Sequence, residues 1–178
     1  MAANKALFLD RDGVINSDTG YAHEWATMTI VPGIIEIIRH FKDAGYLIVI
    51  VTNQSGIGRG YYSEDDFKVV MTEMCGYLAG HGAAVDAYYW CSCDPTVTSC
   101  RNRKPNPGML ISASADLDIS LSRSVLIGDK RSDIDAGSRA GLKQLYFLSD
   151  DEICYAATLS VRHLSDLLIF LMSKSGVD

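Results

Sequence analysis

Short apolar runs that stop abruptly in polar residues recur along this chain, and they alternate with helix-like segments. Residues 6–9 run into Asp10-Arg11-Asp12-Gly13. Residues 46–51 run into Thr52-Asn53-Gln54-Ser55-Gly56. Residues 85–90 lead to a Cys-rich stretch ending in Arg103-Lys104-Pro105, and residues 125–127 run into Gly128-Asp129-Lys130. A continuous apolar run too short for a helix reads as a strand buried on both faces, as parallel sheets require. Between these runs, residues 32–44 predict a helix with Ile34, Ile37, Ile38 and Phe41 on one face and Gly45 at its end. Residues 63–79 predict another, capped by Ser63 and striped by Phe67, Val70, Met71, Met74 and Leu78, with Gly80 as its stop. Asn106-Pro107 opens a third, residues 132–140 form a fourth closed by Gly141, and 164–172 a last one. Residues 145–148 complete the strands, and 149–160 show no pattern. The expected fold is α/β: a Rossmann-like parallel sheet with helices on both faces, in one domain over residues 1–178.

That alternation also says where to look for chemistry, because ligands of such sheets sit beyond the carboxyl ends of the strands. The polar clusters fall at four of those ends. Asp10 and Asp12 stand two apart, and in an extended chain such residues point the same way. Two carboxylates so placed repel unless a cation lies between them, and a hard divalent ion such as Mg²⁺ suits oxygen ligands. Asp129 offers a third carboxylate. A carboxylate at Asp10 can attack phosphorus, and Asp12 can pass protons as acid and then base. Thr52 and the Asn53 backbone can hold phosphate oxygens, and Lys104 supplies fixed positive charge for a transferring phosphoryl group. Taken singly, each piece has an ordinary reading: a turn at Thr52-Asn53, a solvated loop lysine at Lys104, a helix-capping Asp133.

The remaining composition excludes other classes. The 178 residues are 48% hydrophobic and carry a formal net charge of −6. No basic run suggests a nucleic-acid backbone as partner. No apolar stretch approaches the ~20 residues of a membrane span. The N-terminus enters a strand without a signal-like segment, so a cytoplasmic location is expected.

In motif order, Asp10-Arg11-Asp12-Gly13-Val14-Ile15-Asn16, Thr52-Asn53-Gln54, Lys104, and Gly128-Asp129-Lys130 with Asp133 resemble the four motifs of the haloacid dehalogenase superfamily of phosphotransferases. Within it, Asp18-Thr19-Gly20-Tyr21, residues 52–60 and Arg103-Lys104-Pro105-Asn106-Pro107-Gly108-Met109-Leu110 are most similar to the heptose-1,7-bisphosphate 7-phosphatases, close to histidinol-phosphate phosphatases. The resemblance implies a fold without a large cap domain and an Mg²⁺-dependent hydrolysis through an aspartyl-phosphate. It implies Asp10 as nucleophile, Asp12 as acid/base, and Thr52 and Lys104 in the catalytic set. Mg²⁺ would be held by Asp10, Asp129 and the backbone carbonyl of Asp12. Arg11, Asp18, Tyr21, Thr52, Asn53, Gln54, Ser55, Arg103, Lys104 and Lys130 would surround the substrate, with Arg103 on a second phosphate. The partner is then a small phosphosugar, the chain a monomer, and the product a precursor of bacterial surface polysaccharide. Histidinol phosphate or another small phosphosugar is the alternative substrate, and a non-catalytic phosphosugar-binding protein the alternative class.

A short flap is expected at about 14–30, containing His23, and a Cys-rich loop at 91–104. Three of the five cysteines, Cys91, Cys93 and Cys100, crowd that loop. In the resembled family it offers Cys-X-His and Cys-X-Cys to Zn²⁺. Here Cys93 stands for the histidine and Asn102 for the last cysteine, so three sulfurs remain of the usual four ligands. Two readings stay open: a structural Zn²⁺ completed by Asp94 or water, or a metal-free loop of reduced cysteines held by packing. In both, the loop positions Arg103 and Lys104.

Overall fold

The computed structural model describes residues 3–96 and 100–175. In chain order its elements are β1 (Ala6–Leu9), α1 (Ile34–Asp43), β2 (Leu47–Asn53), α2 (Ser55–Gly58), α3 (Glu64–Gly80), β3 (Ala87–Cys91), α4 (Gly108–Asp116), β4 (Val125–Gly128), α5 (Arg131–Ala140), β5 (Gln144–Leu148), β6 (Leu159–Val161) and α6 (Leu164–Ser175). All strand pairs are parallel, in the order β3-β2-β1-β4-β5-β6. No described helix is long and apolar enough to cross a membrane.

Strand alternation sorts the core into two layers. Leu7, Leu9, Ile48, Ile50 and Ile127 pack with α1, α3 and α6, through Ile37, Phe67 and Leu167 among others. Ala6, Phe8, Val49, Val51 and Leu126 face α4 and α5, through Leu110 and Ile134. Every residue of β1 and β4 is buried, as their apolar runs predicted. The predicted stripes of α1 and α3 are the buried ones. Ser63 caps α3, accepting from the Asp66 amide at 3.1 Å.

Register then sets the site. Leu9 lies opposite Ile50 on one side and Ile127 on the other. The carboxyl ends of β1, β2 and β4 are therefore nearly level, and Asp10, Thr52 and Asp129 emerge at one edge. The sheet winds outward in both directions from β1 and β4, so the crevice above them is the topological switch point.

Two elements depart from the sequence reading. α2 is one turn within the residues following Thr52, too short to show a period. β6 occupies part of the unpatterned 149–160 stretch, with three half-buried residues at the sheet's edge. Residues 14–30, the stretch expected to be a flap, run between β1 and α1. The limbs of this stretch are tied by Ser17 N–H to Thr29 O (2.8 Å) and Val31 N–H to Ile15 O (2.9 Å), and a single 3₁₀ turn, Trp25–Thr27, lies within it.

Candidate active site

Asp10 is the first residue past β1, and it is buried. The Lys104 ammonium lies 2.9 Å from Asp10 and 2.6 Å from Asp133, and also donates to the Val51 carbonyl at 2.8 Å. Burial alone would lower the Lys104 pKa, but the two carboxylates raise it, so the side chain stays charged. Burial pushes Asp10 up to about 6 despite Lys104, with Asp133 and Asp12 adding to the rise. Burial, then Asp10, pushes Asp129 up to about 7 against the pull of Lys130. Three carboxylates are thus crowded around one ammonium.

Asp10, Asp129 and Asp133 each offer an oxygen within 4.8 Å of the others. Asp129 Oδ1 is buried without a hydrogen-bond partner. An orphaned anionic oxygen among raised carboxylates is what a hard divalent ion would satisfy, and the donor set fits Mg²⁺. Gly13 makes the approach of Asp129 feasible: its φ is +87°, and a Cβ there would overlap the Asp129 carboxylate.

Asp133 shows that the two readings of a helix-start aspartate need not exclude each other. It accepts from the Lys130 amide at 2.9 Å as a cap would, and it pairs with Lys104. Sequence spacing alone left it as a cap.

The Asp12 carboxylate is not part of the cluster that Asp10, Asp129 and Asp133 form. The chain leaves the extended conformation at once: the Arg11 carbonyl accepts from Val14, Ile15 and Asn16 in a tight turn. Asp12 turns toward the flap, where its carboxylate accepts from Arg11, Asn16 Nδ2 (3.0 Å) and Gln54 Nε2 (2.9 Å). It still opens on the cleft.

That cleft, of about 500 Å³, is lined by Asp12, Asp18, Tyr21, Asn53, Gln54, Ser55, Tyr62, Arg103, Lys104 and Lys130, with Gly20, Pro105 and Ser132. Thr52 lies buried just beneath it. Arg11 is a correction. Rather than facing substrate, its guanidinium is 1% exposed, pairs with Asp12 at 2.8 Å and donates to the Ala22 carbonyl at 2.8 Å. An Arg between two aspartates folds inward because the turn points it at its neighbour. A larger hollow of about 740 Å³ beside Cys100, Arg101 and Gly108 offers no carboxylate, so the chemistry belongs to the smaller cleft.

Across the mouth, the flap is latched at two points. Lys130 reaches Asp18 at 2.8 Å, and Arg59 reaches the Tyr21 hydroxyl at 2.6 Å while pairing with Asp94 at 2.9 Å. Asp18 is partly buried, which would raise its pKa, but Lys130 and the Gly20 amide hold it below the usual carboxylate range. Asn53 clasps the next loop reciprocally: its Nδ2 donates to Lys104 O (3.1 Å) and its Oδ1 accepts from Lys104 N–H (3.0 Å).

The Cys loop gathers its three sulfurs, those of Cys91, Cys93 and Cys100, within 4.8 Å of one another, a group that could hold a metal ion. Cys93 and Cys100 are joined as a disulfide, and Cys91 Sγ lies 3.2 Å from Cys100 Sγ. The Cys93–Cys100 contact departs from a loop of separate thiols, while the cluster of three sulfurs leaves a structural Zn²⁺ as one reading of the loop. Residues 97–99 of the predicted loop lie outside the described residues. The loop does touch the site: the Cys93 carbonyl accepts from Arg103 at 3.1 Å.

Known proteins resemble this chain in sequence and fold. A family model described as "HAD-hyrolase-like" matches residues 101–152. The D-glycero-alpha-D-manno-heptose-1,7-bisphosphate 7-phosphatase of Burkholderia mallei is 46% identical, over 94% of each chain. The corresponding beta-named enzyme of Photorhabdus laumondii is 41% identical, over 91% of this chain and 92% of its own. The D,D-heptose bisphosphate phosphatase of B. bronchiseptica, solved with magnesium and phosphate, superposes with a TM-score of 0.84 and 26% identity, over 96% of this chain and 99% of that one.

Proposed function

The chain belongs to the haloacid dehalogenase-like heptose-1,7-bisphosphate 7-phosphatases, and from that premise we propose that it removes the C7 phosphate of heptose 1,7-bisphosphate through an aspartyl-phosphate on Asp10. The observation that carries this reading is the buried Asp10 paired with Lys104, which lines the cleft together with Asp12.

An Asp10 oxygen attacks phosphorus in line. The bond from phosphorus to the sugar oxygen breaks, and the leaving oxygen takes a proton from Asp12. Asp12 then accepts a proton from water as the water oxygen attacks phosphorus, which frees inorganic phosphate and restores Asp10. Lys104 and the Thr52 hydroxyl stabilise the equatorial oxygens throughout. Mg²⁺, held by Asp10, Asp129 and the Asp12 carbonyl, would screen the nucleophile's charge from the phosphate dianion. Lys104 also neutralises Asp133, so the site's own carboxylates repel substrate less.

The rim favours a substrate with a second anionic group. Arg103 and Lys130 line the cleft, and Arg59 stands just outside on the flap latch. Guanidinium and ammonium groups suit a distal phosphate and disfavour the cationic amine of histidinol phosphate. The Cys loop fixes Arg103 through the Cys93 carbonyl, a role open to a crosslinked or a Zn²⁺-bound loop.

The test is phosphate release, with and without Mg²⁺, from both anomers of heptose 1,7-bisphosphate and from histidinol phosphate. Mg²⁺-dependent turnover of a heptose anomer is expected. Turnover of histidinol phosphate alone would overturn the substrate, and release from none would overturn the reading.

A further inference from the structure

Gln54 lies 2% exposed at the cleft wall, and every polar atom of its amide is engaged. Its Nε2 donates to Asp12 Oδ2 at 2.9 Å and to Thr52 Oγ1 at 2.8 Å. Its Oε1 accepts from the Tyr62 hydroxyl at 2.6 Å. Chemistry fixes these directions. The Asp12 oxygens already accept from Arg11 and Asn16, and the amide nitrogen of Gln54 faces them as a third donor. That leaves Oε1 toward Tyr62, whose hydroxyl must donate. Burial pushes the Tyr62 pKa up to about 12, so the donor proton stays in place. Thr52, accepting from Gln54, keeps its own proton to point elsewhere, which for a phosphate ligand means toward substrate.

Tyr62 is itself tightly placed. Its ring sits against Gly56, where a Cβ would overlap it. This accounts for the glycine that follows Thr52-Asn53-Gln54-Ser55. On its other side the ring stacks on His23 of the flap, centroids 5.0 Å apart and planes within 7° of parallel. The contacts therefore run without a gap from the flap, through Tyr62 and Gln54, to Asp12 and Thr52.

We propose that Tyr62 and Gln54 are positioning residues, which set the acid/base Asp12 and the phosphate-binding Thr52 together and tie both to the flap. This rests on the reading of Asp12 and Thr52 given above. It adds a specific demand: one amide orientation must serve two steps at once. Without the Tyr62 hydroxyl the Gln54 amide can rotate, presenting oxygen to a carboxylate and to a hydroxyl that then donates inward.

A structural role and a positioning role differ in their dependence on the leaving group. The sugar alkoxide needs the Asp12 proton as it departs, whereas p-nitrophenolate does not. Displacement of Thr52 weakens both reactions alike. The experiment is a single-turnover measurement of Asp10 phosphorylation, with heptose 1,7-bisphosphate and with p-nitrophenyl phosphate. The proteins are wild type, Tyr62→Phe, Gln54→Glu and, as reference, Asp12→Asn. In Tyr62→Phe the sugar-phosphate rate should fall about tenfold more than the p-nitrophenyl rate, a fraction of the full acid contribution of about 10² to 10⁴. The Michaelis constant should barely change. Gln54→Glu, which cannot donate to Asp12, should shift the ratio further.

If Asp12→Asn shifts the ratio while both other variants leave it at the wild-type value, the relay is packing alone and the proposal falls. If Asp12→Asn itself leaves the ratio unchanged, the acid/base reading of Asp12 fails and takes the proposal with it. Circular dichroism on each variant separates these outcomes from misfolding, and Tyr62→Phe keeps the ring that Gly56 and His23 pack against.

Discussion

Replacing Lys104 by methionine keeps the volume of the side chain and removes the cation that touches two of the three crowded carboxylates. Its ammonium contacts Asp10 at 2.9 Å and Asp133 at 2.6 Å, with both partners nearly sealed from water. Removing one member of a buried ion pair leaves an uncompensated charge and costs about 3–5 kcal/mol. A fold of this size holds on the order of 5–15 kcal/mol, so the variant should still fold. The cost should depend on pH with a definite sign. Asp10 is already raised to about 6, and losing Lys104 raises it further. The penalty is therefore full near about pH 8 and shrinks as the pH falls and the carboxylates take up protons. The assay is urea unfolding of metal-free protein near about pH 8 and about pH 5.5, for Lys104→Met, Asp133→Asn and the double variant. The double variant should recover part of the loss, with a coupling of about 1–3 kcal/mol, because it no longer buries the second orphaned charge. Turnover should stay about 10² to 10³ below wild type in both, since the transition-state charge is still missing. A cost below about 1 kcal/mol at the higher pH, or a double variant less stable than Lys104→Met, would refute this account of the charge cluster.

Asp10→Asn should abolish phosphate release and leave the circular dichroism spectrum unchanged; retained turnover would show that Asp10 is not the nucleophile. In the metal-free protein, pKa values of about 6 for Asp10 and about 7 for Asp129 mean that the folded chain holds protons the unfolded chain releases, so stability declines as the pH rises through that window. Mg²⁺ should offset this loss, and the Mg²⁺-induced rise in Tm should be larger near about pH 8 than near about pH 5.5. Gly13→Ala should weaken Mg²⁺ binding measured by calorimetry and cost about 1 kcal/mol or more, because its Cβ overlaps Asp129 and its φ is +87°. Asp18→Asn removes the flap's pairing with Lys130. It should raise KM for the bisphosphate more than it lowers kcat, and an unchanged KM would show that this latch does not serve substrate.

The sheet was legible in the sequence because its central strands are buried on both faces and must be continuous apolar runs. Helix faces were equally plain in α1 and α3. α2 and β6 were not, since a single turn and a three-residue edge strand carry no period to read. At the site, residues at strand ends could be nominated from their type, while their side-chain directions could not. Arg11 looked like a ligand for substrate and instead folds onto Asp12. The turn after Leu9 ends the extended geometry on which an i, i+2 argument for the first motif's carboxylates depends, and Asp12 is held by Arg11, Asn16 and Gln54. Tyr62 was passed over because its partner Gln54 precedes it by eight residues, across a helical turn that the sequence did not announce. Gly56 was the available signal: a glycine inside a polar motif marks a close approach, here that of the Tyr62 ring.

Asp10, Asp129 and Asp133 outnumber their cations in a desolvated space: Lys104 meets Asp10 and Asp133, and Lys130 reaches Asp129 only at 3.9 Å. Folding alone gives no reason to keep such a cluster, since apolar residues of the same volume would be as stable or more so. A divalent cation would neutralise it, where burial first and the neighbouring carboxylates next hold Asp10 and Asp129 above the usual carboxylate range. The same arrangement explains why Lys104 sits beneath the carboxylates rather than at the cleft's rim. Placed there, its one charge meets Asp133 and Asp10 in the resting site and, in the function proposed, would act on a phosphoryl group arriving at Asp10. Arg103 and Lys130, which line the cleft, would then be left for the far end of the substrate in the function proposed. Division of positive charge between a buried lysine for the reacting phosphate and exposed cations for the distant one would let a small protein select a bisphosphate. It predicts that Arg103→Met costs far more with the bisphosphate than with a monophosphate such as p-nitrophenyl phosphate, and equal losses on the two would break that division.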